Sequence, residues 1–444
     1  MNPDAAGPPP RWAEIIAVGS ELLVPPRLDT NSLFVTERLT DVGIEVRLKT
    51  VVGDCRSDLE EVFRHALARS EVIVLTGGLG PTDDDLTRDA VAAVLERPLV
   101  EDAAVIAAMR RRFASRGVRM PEVNRRQALV PDGAEVLENR LGTAPGLWIE
   151  HGGRVVILLP GPPGELMPLF DRVVLERLAP RVGADRVFRR VVKICGRTES
   201  DVEEVAFPVY AAWQREARPI QTTVLTAPGQ VELHLSLRAP DAGVAAARLD
   251  AAVDEIVAVI GADVFSTDGL AMEEVVGHLL RQRGVRVAIA ESCTGGLISS
   301  KLTDVPGSSD YVVCNSVCYS NEAKVRVLGV PEGLLREHGA VSPPVAIAMA
   351  DAARALANTD IGVGVTGIAG PTGGTEQKPV GTVVIAVTTA TTRTVCMFRF
   401  PFTRVRVKMF AAQMALDLIR RVLLGIKPAA AFVWRGGADQ KPGS

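Results

Sequence analysis

A hydroxyl and a thiol stand side by side before two glycines in the stretch Glu291-Ser292-Cys293-Thr294-Gly295-Gly296. An apolar run, residues 285–290, leads into this stretch and a helical pattern follows it, which predicts a strand-to-helix turn. Such a turn could carry a nucleophile, hold an anion on its N–H groups, or only redirect the chain. A thiol is intrinsically the stronger nucleophile, but neighbouring residues on a tight turn point in different directions. Only one of the two can face a substrate, and the turn alone leaves open whether that residue is Ser292 or Cys293. A small side chain packed beneath the turn is the simpler interpretation of Cys293.

A serine nucleophile needs a base, and the chain offers few candidates near this turn. His278 falls within a predicted helix, and His338 does not lie in a loop that follows a strand. Lys324, in the stretch CYSNEAKVRVLG, begins another predicted helix. Burial lowers the pKa of a lysine, so that it can accept a proton. From spacing alone, an exposed helical lysine is the simpler interpretation of Lys324.

Two glycine loops of similar sequence, TGGLGP at 76–81 and TGIAGP at 366–371, each follow an apolar strand. Glycines at such positions let the backbone approach a ligand closely, so the two loops predict two ligand sites. The first loop leads into Asp83, Asp84 and Asp85, and carboxylates beside phosphate-binding amides suit Mg²⁺-dependent pyrophosphate cleavage. Asp83 is expected to cap the following helix, which leaves Asp84 and Asp85 as metal candidates.

The elements that must position these residues form three groups. Strands and helices alternate through residues 13–96, which predicts an α/β domain with a parallel sheet covered on both faces. A small α+β unit without glycine loops follows, and a second α/β unit begins near Ser266. The predicted boundaries are 1–12 and 428–444 for disordered ends, with domains at 13–180, 181–265 and 266–427.

Bulk composition narrows the class of protein. The 444 residues carry a formal charge of −3, which gives no support to nucleic-acid binding. The six cysteines include no C-x-x-C pair, the start lacks the pattern of a signal peptide, and no apolar run could span a membrane. These features predict a cytoplasmic protein without nucleic-acid or membrane partners.

Several motifs of the last third resemble the CinA carboxy-terminal domain, a family of nicotinamide mononucleotide (NMN) amidohydrolases. They are AESCTGGLISSKLTDVPGSS, SVCYSNEAKVRVLGV, HGAVS and VGVTGIAGPTGGTEQKPVGTV. The resemblance implies hydrolysis of NMN to nicotinate mononucleotide and ammonia, with Ser292 as nucleophile and Lys324 as its base. The substrate-binding residues that it implies, together with the adjoining turn, are Thr294, Gly295, Gly296, Tyr319, Asn321, Thr366, Gly367 and Arg404. One departure is that Phe402-Thr403 replaces the Gly-Asp that precedes this arginine in the family.

Residues 13–180 resemble the molybdopterin-binding-type domain at the amino end of CinA proteins, through GSELLVPPRLDTNSLF, TGGLGPTDDDLTRDAV, NRLGTAPGLW and LLPGPPGEL. This resemblance implies a three-layer fold and an ADP-ribose pyrophosphatase that uses Mg²⁺ or a similar divalent ion. Asp84 and Asp85 are the expected metal ligands, and the other expected site residues are Asp29, Asn31, Gly77, Gly78, Thr82, Thr143 and Gly161. Asn31 could equally cap the helix that begins there. Pro25-Pro26 replaces a family glycine, so this loop must follow another path.

The middle segment, KICGRTESDVEEV, is similar to the KH-like linker of CinA proteins. The G-x-x-G clamp by which KH units bind RNA is absent, so a spacer or a contact within a homodimer is expected. The leading hypothesis is an enzyme that recycles pyridine nucleotides. The alternatives are a molybdenum-cofactor-related protein and a non-enzymatic competence- or damage-associated protein.

Overall fold

The computed structural model describes residues 10–183 and 185–428. The chain divides into two compact units: one ends at Phe188 and includes Arg238–Ala245, and the other comprises Arg189–Leu237 and continues from Ala246. The predicted disordered ends lie outside the described residues except at their inner edges, where Trp12 already belongs to a strand.

The described residues 10–183 of the first unit contain eight strands and five α-helices. The strands are β1 (Trp12–Val18), β2 (Glu45–Val52), β3 (Val72–Thr76), β4 (Leu99–Glu101), β5 (Leu129–Pro131), β6 (Glu135–Leu137), β7 (Gly146–His151) and β8 (Arg154–Leu159). The helices are α1 (Thr30–Asp41), α2 (Arg56–Arg69), α3 (Thr87–Val94), α4 (Ala103–Ser115) and α5 (Pro163–Val173).

The main sheet of this unit has the order β2-β1-β3-β8-β7-β6. Its first four strands are parallel, as predicted, and two apolar cores cover its faces. Two further strands, β7 and β6, extend the sheet at one edge and run antiparallel. Only Gly152 and Gly153, both with positive φ, join β7 to β8, and so short a turn can connect only antiparallel strands.

The rest of the chain begins with an α+β segment made of β9 (Arg186–Cys195), α6 (Glu199–Trp213), β10 (Gln221–Ala227), β11 (Gln230–Ala239), α7 (Ala242–Ile260) and β12 (Val264–Ser266). These strands form a sheet of order β10-β11-β9-β12. The elements that follow are α8 (Met272–Arg283), β13 (Val287–Glu291), α9 (Leu297–Thr303), β14 (Val312–Val317), α10 (Asn321–Leu328), α11 (Glu332–His338), α12 (Pro343–Ala357), β15 (Ile361–Gly367), β16 (Thr382–Thr388), β17 (Arg393–Arg399) and α13 (Arg404–Leu424).

A five-stranded sheet of order β14-β13-β15-β16-β17 positions the candidate site. Strands β14, β13 and β15 are parallel, and β16 and β17 continue the sheet as an antiparallel hairpin. The three parallel strands therefore end at the same edge. At that edge lie Ser292, the segment that leads to Lys324, and Gly367.

Helix α12 packs on β15 at very short range because two strand residues lack a side chain. A Cβ on Gly362 would lie 2.0 Å from the carbonyl oxygen of Ala350, and a Cβ on Gly364 would lie 2.1 Å from that of Ala346. The helix backbone occupies the space that larger residues would need.

Candidate active site

The turn after β13 is organised by a buried carboxylate. Glu291 is fully buried, and its side chain accepts hydrogen bonds from the amides of Gly296 (2.9 Å) and Ser299 (2.8 Å) and from the Ser299 hydroxyl (2.6 Å). Gly295 and Gly296 adopt positive φ values of 63° and 90°, which L side chains rarely adopt. The beginning of α9 is thus held by the protein's own anion.

This arrangement removes two of the donors that the sequence predicted for an anion or oxyanion. The amide of Gly296 is bonded to Glu291, and the amide of Gly295 donates to the carbonyl of Ser292 at 3.1 Å. The expectation that both glycines supply free N–H groups is wrong, because the turn uses them itself. Thr294 is fully buried, and among the described residues its amide donates to no backbone acceptor.

Ser292 and Lys324 meet at the end of the sheet. The Nζ atom of Lys324 lies 3.1 Å from Oγ of Ser292, and it also contacts the carbonyl oxygens of Cys318 (3.0 Å) and Tyr319 (3.3 Å). Lys324 is only 2% exposed and Ser292 6%. Burial lowers the pKa of the Lys324 ammonium, which favours the neutral amine that can take a proton. The exposed helical lysine is therefore the wrong alternative.

Cys293 occupies different surroundings from its neighbour. Its side chain belongs to the apolar core beneath the sheet edge, and its Sγ atom lies 2.9 Å from the point where a Cβ on Gly367 would stand. Burial raises the pKa of this thiol to about 12, so it holds its proton at neutral pH. Packing is the role that this geometry supports.

Arg404 joins two of the predicted loops. Its guanidinium donates to the carbonyl of Gly370, in the TGIAGP loop, at 2.8 Å and to the hydroxyl of Tyr319. Arg404 keeps these contacts although Phe402-Thr403 replaces the Gly-Asp of the family. The Phe402 ring packs on Phe410, with centroids 4.6 Å apart.

The other predicted residues of this region lie at the same edge in different roles. Thr366 is buried, and its hydroxyl donates to the carbonyl of Ala340 at 2.8 Å, so it anchors the loop. Asn321 is exposed at the first residue of α10, where Ser320 supplies the cap. Lys408, which was not predicted from the sequence, also lies here, with its Nζ 3.4 Å from the Cβ position of Gly295. Its spacing of four residues from Arg404, which places both on one helix face, was the available signal.

A second candidate site lies in the first unit, in a cavity of about 640 Å³. Most of the predicted residues line it: Asp29, Asn31, Gly77, Gly78, Asp84, Asp85, Thr143 and Gly161. The amide nitrogen of Asn31 donates to the carbonyl of Gly161 at 2.7 Å, while its buried Oδ1 has no hydrogen-bond partner among the residues that the structure describes. Asp29 caps α1 by accepting from the amide of Ser32 at 2.9 Å, so the alternative of Asn31 as the cap is wrong.

The acidic stretch after TGGLGP stabilises the loop that precedes it through hydrogen bonds. Asp85 accepts hydrogen bonds from the amides of Gly80 (2.7 Å) and Thr82 (2.8 Å) and from the hydroxyl of Thr82 (2.5 Å). Asp83 pairs with Arg126 instead of capping a helix, because α3 begins only at Thr87. The capping prediction for Asp83 is therefore wrong.

Arg88, which was also not predicted as a site residue, stabilises this loop through its carbonyl groups. Arg88 is buried, and its guanidinium donates to the carbonyls of Leu79 (2.6 Å) and Gly80 (2.8 Å). Burial lowers the pKa of its guanidinium to about 10.

The acidic loop offers few open ligands to a divalent metal ion. Within residues 10–183 and 185–428, no group of three or more His, Cys, Asp or Glu side chains is placed to hold a metal ion. Both oxygens of Asp85 already accept hydrogen bonds from the loop, which leaves Asp84 as the open carboxylate of the predicted pair. These residues do not form a complete metal cage, so the phosphates of a ligand would have to supply the remaining oxygens.

No helix in the described part of the chain is both long enough and apolar enough to cross a membrane.

Comparison with known proteins gives matches in both halves of the chain. Residues 14–180 match the family model described as "Probable molybdopterin binding domain", and residues 270–423 match the model described as "CinA C-terminal domain". The chain is 45% identical to the CinA-like protein of Koribacter versatilis over 416 residues, which is 93% of this chain and 100% of that protein. It is 44% identical to the CinA-like protein of Solibacter usitatus, over 93% of this chain and 98% of that protein.

Among solved structures, the competence-damaged protein (CinA) superfamily protein of Klebsiella pneumoniae 700603 matches 35% of this chain and 96% of its own, with 31% identity and a TM-score of 0.34.

Proposed function

Because this chain belongs to the family of CinA-like proteins, we propose that Ser292 and Lys324 hydrolyse the carboxamide of NMN to nicotinate mononucleotide and ammonia. The observation that carries the proposal is the buried contact of 3.1 Å between Oγ of Ser292 and Nζ of Lys324. Amide hydrolysis needs an activated nucleophile and a proton for the leaving nitrogen, and this pair offers both.

The reaction begins when neutral Lys324 takes the proton of the Ser292 hydroxyl as Oγ attacks the carboxamide carbon. The carbonyl oxygen becomes an oxyanion, for which we assign the Thr294 amide as a donor. The C–N bond then breaks, and ammonia leaves with the proton that the Lys324 ammonium returns. An ester between Ser292 and the nicotinoyl group remains.

Water completes the cycle. Lys324, neutral again, accepts a proton from a water molecule that attacks the ester carbonyl. The ester C–O bond breaks, Oγ of Ser292 regains a proton, and nicotinate mononucleotide leaves. The carbonyls of Cys318 and Tyr319 hold the Lys324 amine in place through both halves of the reaction.

The test is ammonia release from NMN by the full-length protein and three variants. Ser292→Ala and Lys324→Ala are expected to lose activity by about 10³-fold or more, while Cys293→Ala keeps most of it. Activity lost only in the Cys293 variant would identify the Cys293 thiol, and not Ser292, as the nucleophile. A wild-type protein that releases no ammonia would refute the deamidase proposal, and it would favour the non-enzymatic alternative.

We propose a second activity, metal-dependent ADP-ribose pyrophosphatase, for the cavity of the first unit. Its support is the glycine loop at one wall together with the unpartnered Oδ1 of Asn31, since a buried polar atom without a partner is costly unless a ligand satisfies it. A bound Mg²⁺ would neutralise charge on the phosphates, with Asp84 as its ligand from this chain. ADP-ribose turnover that a chelator leaves unchanged would contradict the metal requirement. Binding of a molybdopterin without turnover would favour the cofactor-related alternative.

A further inference from the structure

Helix α13 places two cations beside the Ser292 turn. Arg404 and Lys408 are four residues apart, so their side chains lie one above the other on one helix face. Arg404 is already engaged, because it donates to the carbonyl of Gly370 and to the hydroxyl of Tyr319. Lys408, by contrast, donates no hydrogen bond to another described residue.

Lys408 is half-buried, and no carboxylate in the described part of the chain forms an ion pair with it. Among the described residues, no carboxylate, carbonyl or hydroxyl accepts a hydrogen bond from its Nζ. The other lysines around this sheet edge are partnered: Lys301 pairs with Glu273 at 3.0 Å, and Lys378 donates to the carbonyl of His338 at 2.7 Å. A partly desolvated ammonium without an acceptor is unfavourable, so this position suits a ligand that supplies the anion.

Lys408 also lies close to the nucleophile. Its Nζ is 3.4 Å from the Cβ position of Gly295, and the amide of Gly295 closes a tight turn on the carbonyl of Ser292 at 3.1 Å. The ends of such a turn are less than about 7 Å apart. A phosphate on Lys408 would thus be separated from Ser292 by a distance that a pyridine ring and a ribose can bridge.

The other possible anion site at this turn, the start of α9, is already occupied by a side chain of the protein. The start of α9 would attract a phosphate through its free amides, but the carboxylate of Glu291 occupies the amides of Gly296, Ile298 and Ser299. A second anion there would meet a buried negative charge. Lys408 is the cation at this turn that neither Glu291 nor a loop carbonyl engages.

We infer that Lys408 is a specificity-determining residue that binds the phosphomonoester of a mononucleotide amide substrate. This inference rests on the proposed deamidase function and names the part of the substrate that the same site recognises. Lys408 selects phosphorylated amides over their nucleosides and takes no part in bond cleavage.

The experiment compares the full-length wild type with Lys408→Met, Lys408→Arg and the control Arg406→Met. Arg406 lies two residues away, and its guanidinium stacks on Phe402 at 4.6 Å instead of reaching the turn. Lys408→Met should raise KM for NMN about tenfold to a hundredfold with little change in kcat, since a hydrogen bond to a charged group contributes about 1.5–3 kcal/mol. Lys408→Arg should recover most of this loss, and Arg406→Met should behave as the wild type.

Two further measurements separate charge recognition from other roles. Turnover of nicotinamide riboside, which lacks the phosphate, should be the same for wild type and Lys408→Met. Binding of ribose 5-phosphate should weaken in Lys408→Met by the same factor as NMN. Equal losses with NMN and the riboside, or no loss with either, would overturn the inference. If the wild type releases no ammonia from NMN, the proposed function fails, and ribose 5-phosphate binding still decides the role of Lys408.

Discussion

Ser292 and Cys293 show how strongly two adjacent side chains can differ in chemistry. The hydroxyl faces the Lys324 amine, whereas the thiol enters the apolar core beside Gly367. A thiol with a pKa of about 12 remains protonated at neutral pH and is a weak nucleophile, despite the intrinsic reactivity of sulfur. In the proposed reaction, the identity of the nucleophile is therefore set by which side chain faces the Lys324 amine.

The lowered pKa of Lys324 gives a pH dependence with a definite sign. Only the neutral amine can accept the Ser292 proton, so kcat/KM for NMN should rise with pH and level off once Lys324 is neutral. Because burial lowers this pKa, the rise should be centred below about 10.4, the ordinary value for a lysine. The measurement is kcat/KM from about pH 6 to about pH 10.

A Lys324→Arg variant is the matched control for this profile. Arginine stays protonated at these pH values, so the variant should be inactive throughout. A wild-type rate that falls as pH rises across the same range would contradict Lys324 as the base.

At the scale of elements, the site depends on the common edge at which β13, β14 and β15 end. Helix α12 fixes β15 in the middle of this sheet through the close contacts at Gly362 and Gly364. Neither glycine has a positive φ, so their need for a hydrogen side chain comes from the helix backbone above them.

Gly364→Ala should destabilise the second unit by roughly 1–3 kcal/mol or more, because the new Cβ would overlap the carbonyl oxygen of Ala346. Gly333→Ala is the control, since a Cβ there meets open space and alanine favours the helix by up to about 1 kcal/mol. Urea unfolding of both variants measures the difference. Equal stability of the two variants would mean that α12 shifts at no cost.

The elements of this sheet were largely predictable, and the details of the turn were not. Apolar runs and glycine loops predicted the strands that precede Ser292 and Gly367, and the motif order indicated Lys324. The occupation of the α9 amides by Glu291 could not be predicted, because it depends on the rotamer of one side chain. Asp83 was misassigned because α3 begins at Thr87, three residues later than a cap at Asp83 would require. Antiparallel strands β6 and β7 escaped prediction since they are short and weakly patterned.

At the scale of the whole molecule, the chain carries two candidate sites in two compact units, each with its own apolar cores. The loop chemistry is similar in both, with a glycine-rich segment after a buried strand. The side chains beside the loops differ: a serine and a lysine in one unit, and carboxylates in the other.

Asp85→Ala should lower ADP-ribose turnover by about a hundredfold, because the TGGLGP loop loses the acceptor for Gly80 and Thr82. Ammonia release from NMN should be unchanged in this variant, and Ser292→Ala should give the opposite pattern. Asp83→Ala is the control, since Asp83 is exposed and its surface ion pair with Arg126 contributes at most about 1 kcal/mol. Loss of both activities in either variant would contradict independent sites.

The burial of Cys293 also bears on how the proposed enzyme would tolerate oxidative stress. Peroxides and alkylating reagents attack accessible thiolates, and Cys293 is neither accessible nor ionised. The exposed thiols in the described chain are those of Cys55 and Cys314, neither of which takes part in the proposed chemistry. An amidase built on a thiolate nucleophile would stop when its thiolate is oxidised. A serine nucleophile would keep the proposed deamidase active under conditions that oxidise the exposed thiols of the chain.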